Sequence, residues 1–209
     1  MDVFIKPVKL IENKDSILNL LRKTNSDKQY DPRKMRTLLR NNVHLYVSMA
    51  DQEMIQEKIG EALGLEKAAQ KAVEDLDSRG LLKPEQMKKL SKMKDEAEKQ
   101  EEEMEKLVED LVESEGFEKE TIGEKAEETA EKTSKIMETY LGEDPDTQEA
   151  LEFLCLAEGA EVTHYEVLAS VAKDVKNKKF GTQVRAILAE EKRHLTVCTK
   201  LAKDNAASE

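Results

Sequence analysis

Four stretches of this chain carry an apolar row at helical spacing, and glutamate breaks each row near its middle. The first row reads Ile55, Ile59, Ala62, Glu66, Ala69, Val73, Leu76, and the second Met87, Leu90, Ala97, Glu101, Met104, Val108, Leu111. The third reads Leu154, Glu158, Glu161, Tyr165, Leu168, Ala172, Val175, and the fourth Val184, Ile187, Leu188, Glu191, Leu195, Cys198, Leu201. Steps of three and four residues put such positions on one face of a helix. A chain that must bury four such faces packs helix against helix, and each face carries a carboxylate inward. An unpaired ionised carboxylate in a dry core is costly and takes up a proton unless a cation neutralises it. Four or five converging carboxylates repel one another; two divalent metals would balance four of them. Oxygen-rich donors with one or two imidazoles suit iron or manganese best, with zinc possible.

The chain is 38% charged, so carboxylates also fall on core phases by accident. Glu66 and Glu101 fit the edge of a broad solvated face as well as a ligand position, and Glu98 is an alternative to Glu101. The histidines narrow the choice. Of three, two stand in Glu-x-x-His, as Glu161–His164 and Glu191–His194. A spacing of three projects both side chains from nearly one side of a helix, within reach of one metal. His164 reads as a ligand, a partner of a ligand or a surface residue, and His44 as structural. Tyr165, one turn after Glu161, packs in the core or hydrogen-bonds a ligand carboxylate.

With 4% aromatic residues and four prolines in 209, the composition favours long helices over sheets, and the length allows a sizeable core. The breakers predict a short helix at 14–23 and a second helical pattern from Pro32 to Gly60 or beyond, the glycines at 60 and 64 kinking it or being tolerated. Helices ending near 77–80, from about 83 to 115, and over 119–141 come next. The last two run from "GEDPD" to about Lys176 and from "NKKFG" to about Asp204. The expectation is an all-α chain: an N-terminal helical extension over 1–50, then a four-helix bundle over 51–209. Its two hairpins are joined by a crossover that itself holds a helix, the wiring of ferritin-like bundles.

Residues 1–60 carry eleven Lys/Arg against eight Asp/Glu, which leaves −14 of the net −11 on the remainder. So acidic a body argues against nucleic acid as a partner. The basic segment docks on that body or on another acidic partner. No run of 18 apolar residues exists, so no membrane span is expected, and "MDVFIKPVKLIENKDS" lacks the features of a signal peptide; a cytoplasmic protein is expected. Cys155 and Cys198 form no secreted disulfide framework. In an antiparallel hairpin turning near 177–181 they face each other about one turn from Glu161 and Glu191. They are two buried apolar thiols, or a redox pair passing electrons to the metals.

The segment "LAEGAEVTHYEVLASVAKDVKN…LAEEKRH" is similar to the C-terminal helix pair of rubrerythrins. In those proteins a Glu-x-x-Glu helix precedes a Glu-x-x-His helix by about thirty residues. Here the carboxylates would be Glu158 and Glu161, and the second pair Glu191 and His194. The stretch from "DPDTQEALEF" onward also resembles YciE/YciF-type ferritin-like proteins, with His164–Tyr165–Glu166 and Glu190–Glu191–Lys192 as matching segments. Two features depart from rubrerythrins: no cysteine-rich electron-transfer site, and no Glu-x-x-His on the second helix. The resemblance implies a ferritin-like centre of two iron ions (manganese or zinc being possible) with Glu158, Glu161, Glu191 and His194 among its ligands; the interrupted rows add Glu66 and Glu101, and the Glu-x-x-His pattern adds His164. It implies reaction with peroxide or dioxygen, an unknown electron donor, and a homo-oligomer. Iron storage or handling without turnover, and a non-catalytic acidic helical adaptor, are the competing expectations.

Overall fold

The computed structural model describes the backbone from Pro32 and the side chains of residues 52–208. The expected extension over 1–50, with its helix at 14–23 and His44, lies outside the described residues apart from the helical backbone that starts at Pro32. The chain divides after Val47 into two units, and the helical packing is that of the second, Ser48–Glu209. Five helices pack against one another: α1 (Pro32–Ser78), α2 (Pro84–Glu115), α3 (Lys119–Leu141), α4 (Thr147–Val171) and α5 (Lys178–Ala206). The described residues contain no strand.

Local chemistry sets the helix ends. Pro84 opens α2, where a missing N–H costs nothing, and Gln86 Oε1 accepts from the Lys83 amide at 2.8 Å. Gly116 closes it with φ 72°, a conformation that disfavours side chains. At α4, Asp146 Oδ1 accepts from the Glu149 amide while Glu149 Oε2 accepts from the Asp146 amide, a reciprocal cap. This helix stops at Val171, short of the expected Lys176. Glu115, at the end of α2, accepts hydrogen bonds from the amides of Lys176 and Asn177, which fixes a turn there and starts α5. Val175 is buried within that turn rather than on the helix.

Gly60 and Gly64 do more than tolerate their helix. A Cβ at Gly64 would lie 2.4 Å from the Ala126 carbonyl oxygen, and one at Gly60 2.6 Å from Lys125 Cβ. The two glycines let α3 lie directly on the α1 backbone, so α1 passes through both without a break. Elsewhere, cross-links show antiparallel neighbours. Gln52 donates to the Gly116 carbonyl at one end of the α1–α2 pair, and Lys94 meets Glu74 further along. On the α2–α5 pair, Lys179 meets Asp110, Arg193 meets Glu96, and Lys83 reaches Asn205.

The apolar core is two clusters. One gathers Ile59, Leu63, Met104, Leu107, Leu111, Tyr165, Leu168, Val184 and Ile187 among others. The other gathers Val73, Leu76, Leu90, Met93, Leu151, Leu154, Cys198 and Leu201. Between them every long helix changes character at the same level. There α1 buries Glu66, α2 buries Gln100, α4 buries Glu158 and Glu161, and α5 buries Glu191 and His194.

Candidate metal centre

The middle layer is buried as deeply as the clusters that sandwich it. Glu66 and Glu191 are 0% exposed, Gln100 and His194 2%, Glu161 3% and Glu158 6%. Such groups normally find hydrogen-bond partners inside the protein. Here six buried oxygens have none: Glu66 Oε2, Gln100 Oε1, Glu158 Oε2, Glu161 Oε1 and both oxygens of Glu191. Burial, followed by the charge of Glu191, pushes the Glu158 carboxyl up to about 8. Burial and then the neighbouring carboxylates hold Glu66 and Glu161 well above the usual range. In a metal-free centre some of these groups carry protons.

Glu158, Glu191 and His194 each offer one ligand atom, and the three atoms lie within 4.8 Å of one another. His194 is held from both sides. A carboxylate can only accept, so the imidazole Nε2–H donates to Glu96 Oε2 at 3.0 Å. In the neutral ring this leaves the Nδ1 lone pair facing Glu191 Oε1 at 3.4 Å and Glu158 Oε2 at 3.8 Å. An outer carboxylate that fixes a ring's tautomer is what a metal-binding histidine requires. Burial opposes a charged imidazole at His194, but the facing carboxylates outweigh it and raise the pKa. Burial also opposes the charge on Glu96, and hydrogen bonds from Arg193 and His194 outweigh that and lower it. The donor set fits a divalent metal ion and does not select which one.

Of the residues expected at the site, Glu66, Glu158, Glu161, Glu191 and His194 are all buried, and the charges of Glu158 and Glu191 act on Glu66 and Glu161. Glu101 and His164 are not buried there, although the charge of Glu101 still acts on Glu66. Glu101 is partly exposed on the flank of α2, where Gln70 Nε2 donates to it at 2.8 Å and Lys67 approaches to 3.5 Å. Glu98, the alternative, is half exposed and paired with Lys94. The ring of His164 is about a third exposed, its Nδ1 toward the Ala160 carbonyl and its Nε2 3.7 Å from Glu61. The level that Glu101 was expected to fill belongs to Gln100. The signal was present: Leu90, Met93, Ala97, Gln100, Met104, Leu107 and Leu111 step by threes and fours as evenly as the expected row. Met104 and Leu111 fit either phase; Gln100 is the buried residue and Glu101 the partly exposed one. Glu96 had no such signal, because its role depends on where α5 places His194.

Tyr165 donates its hydroxyl hydrogen to Glu66 Oε1 at 2.7 Å, so the ring both packs and orients a carboxylate. That leaves Oε2 as the unpartnered oxygen of Glu66. Cys155 is half-buried and Cys198 buried; neither is in a disulfide, and burial pushes both thiols up. No helix among the described residues is long and apolar enough to cross a membrane. No family profile, curated protein or solved structure matches this chain.

Proposed function

We propose that this protein is a ferritin-like helical bundle whose middle layer binds two metal ions, iron foremost, for reaction with peroxide or dioxygen. The observation that carries this reading is the set of six buried oxygens without partners, drawn from all four long helices onto one level. Protons could neutralise part of the charge, with a protonated Glu161 carboxyl donating to Glu191, but they fill few of the lone pairs. Cations satisfy the charge and the lone pairs together.

In this reading Glu158, Glu191 and His194 hold one ion, with Glu66 and Glu161 on the side of the second. Bound iron would supply the electrons that reduce the oxidant. The chain's own residues prepare the place. Glu96 keeps the Nδ1 of His194 free for the metal, and Tyr165 turns one oxygen of Glu66 away from it. Apolar clusters above and below exclude bulk water, which strengthens every charge interaction between them.

Elemental analysis of protein purified without added metal tests the binding. About two iron or manganese ions per chain are expected, and none after purification or reconstitution would leave the adaptor reading. Mixing ferrous-loaded protein with hydrogen peroxide then tests turnover. Rapid oxidation of iron with loss of peroxide is expected; iron that is bound and stays ferrous would mark a storage or handling protein.

A further inference from the structure

The four long helices do not contribute equally. Three of them bring carboxylates to the middle layer, whereas α2 brings an amide, Gln100. Its orientation is set by its outer partner. Gln100 Nε2 donates to Glu190 Oε2 at 2.8 Å, and since a carboxylate can only accept, the amide nitrogen lies on that side. The carbonyl Oε1 is then left buried with no hydrogen-bond partner, as are five carboxylate oxygens of the layer. Two contacts set its level. Glu190 precedes Glu191, and Glu96, one turn before Gln100, meets His194.

We propose that Gln100 Oε1 is the metal donor supplied by α2, and that its lack of charge makes the two metal positions unequal. This inference rests on the reading of the layer as a two-metal centre. The charge balance favours a neutral residue there. Glu66, Glu158, Glu161 and Glu191 together match two divalent ions, and a fifth buried carboxylate would leave a surplus negative charge. Neutrality has a consequence for the order of binding. The first ion takes Glu158, Glu191 and His194, which already lie within 4.8 Å of one another. The second has Glu161, the one free oxygen of Glu66 and the uncharged Gln100, and it is repelled by the first. Affinity of oxygen sites for divalent ions rises with the charge of their ligands, so the second ion binds more weakly by about tenfold or more.

Anaerobic titration with manganese(II), followed calorimetrically and by the electron-spin signal of free manganese, tests this on the full chain. The wild type is expected to load in two steps, the second at least about tenfold weaker. Gln100→Glu should tighten the second step by about tenfold or more and leave the first nearly unchanged. Gln100→Leu, which fills the same space without an oxygen, should lose the second step and keep the first. Circular dichroism shows that each variant retains its helices, and the leucine variant decides the matter if buried charge unfolds the glutamate one. Equal affinities in the wild type, or a second step that Gln100→Leu does not weaken, overturns the inference while the metal centre stands. No manganese bound by the wild type overturns the centre, and the inference with it.

Discussion

Glu128 and Glu158 are the same side chain in two media. On the outer face of α3, Lys132 and Lys125 both reach Glu128 and hold its carboxyl down to about 2. In the middle layer, burial and the charge of Glu191 push Glu158 up to about 8. The difference lies in the partners that the fold allows. Surface carboxylates of this acidic chain have found lysines, as in Lys94–Glu74, Lys58–Glu61 and Lys192–Glu166. Among the described residues no lysine or arginine forms an ion pair with Glu66, Glu158, Glu161 or Glu191; the nearest arrangement is Arg193 on Glu96, one residue further out. With 34 Lys/Arg in the chain, cationic side chains were not scarce. The contrast teaches that counting glutamates cannot locate a candidate metal centre, whereas finding glutamates that no lysine or arginine has answered can.

The largest effect expected from breaking this contrast is at the centre itself. Glu191→Ala combined with His194→Ala removes two of the three clustered ligands, and binding at that position should be lost with helix content largely intact. Calorimetric titration and circular dichroism on one preparation check both halves of that statement. Native affinity for two ions in the double variant would show that the site lies elsewhere.

Next in size is the response of the metal-free protein to pH. Glu158 is raised in the folded state, so between the ordinary carboxylate range and about 8 the folded chain binds more protons than the unfolded one. Stability must then fall as pH rises through that window, by on the order of 4 kcal/mol from a shift of this size. Denaturant unfolding at pH 5 and pH 8 measures the slope, and Glu158→Gln, which cannot ionise, should lessen it, leaving the share of Glu66 and Glu161. Added metal should reverse the trend, because protons compete with it for the same oxygens, and should raise the melting temperature at neutral pH.

Smaller effects sharpen the comparison at the α1–α3 contact and on the surface. Gly64→Ala forces a methyl group into the Ala126 carbonyl and should cost about 1–3 kcal/mol. Gly159→Ala, where nothing lies within 4 Å, should stabilise its helix by up to about 1 kcal/mol. Thermal melts of the two variants should move in opposite directions. Least of all, Lys132→Ala takes from Glu128 a lysine whose side chain lies largely in solvent. No resolvable change in the melting temperature is expected, since exposed ion pairs contribute little.

Much of the fold was legible in the sequence, for reasons particular to each element. Helix starts near residue 83 and after "GEDPD" were marked, because prolines and glycines act through the local backbone. Glu66, Glu158, Glu161, Glu191 and His194 stood out because an apolar row makes an inward carboxylate conspicuous. Where α2 enters the layer, the amide of Gln100 is less conspicuous than the glutamate beside it. Gly60 and Gly64 were illegible for a different reason: what they admit is a helix some sixty residues later in the chain. Glu115 is of the same kind, a side chain on one helix that ends a turn between two others.

The division of the core by its polar layer also bears on how the centre is reached. Each apolar cluster is sealed by side chains from all the described helices, so neither half is a separate stretch of chain. Yet between the halves lies a layer in which six buried oxygens have no partner. Opening one end therefore leaves the packing of the other in place, at a smaller free energy than unfolding the whole. Ions and small solutes would gain the middle by such breathing, or past Leu65, Ala69 and Phe153, which line a pocket together with Glu161. A filled centre would tie the two ends together, slowing hydrogen exchange of amides in both clusters at once rather than only beside the ligands.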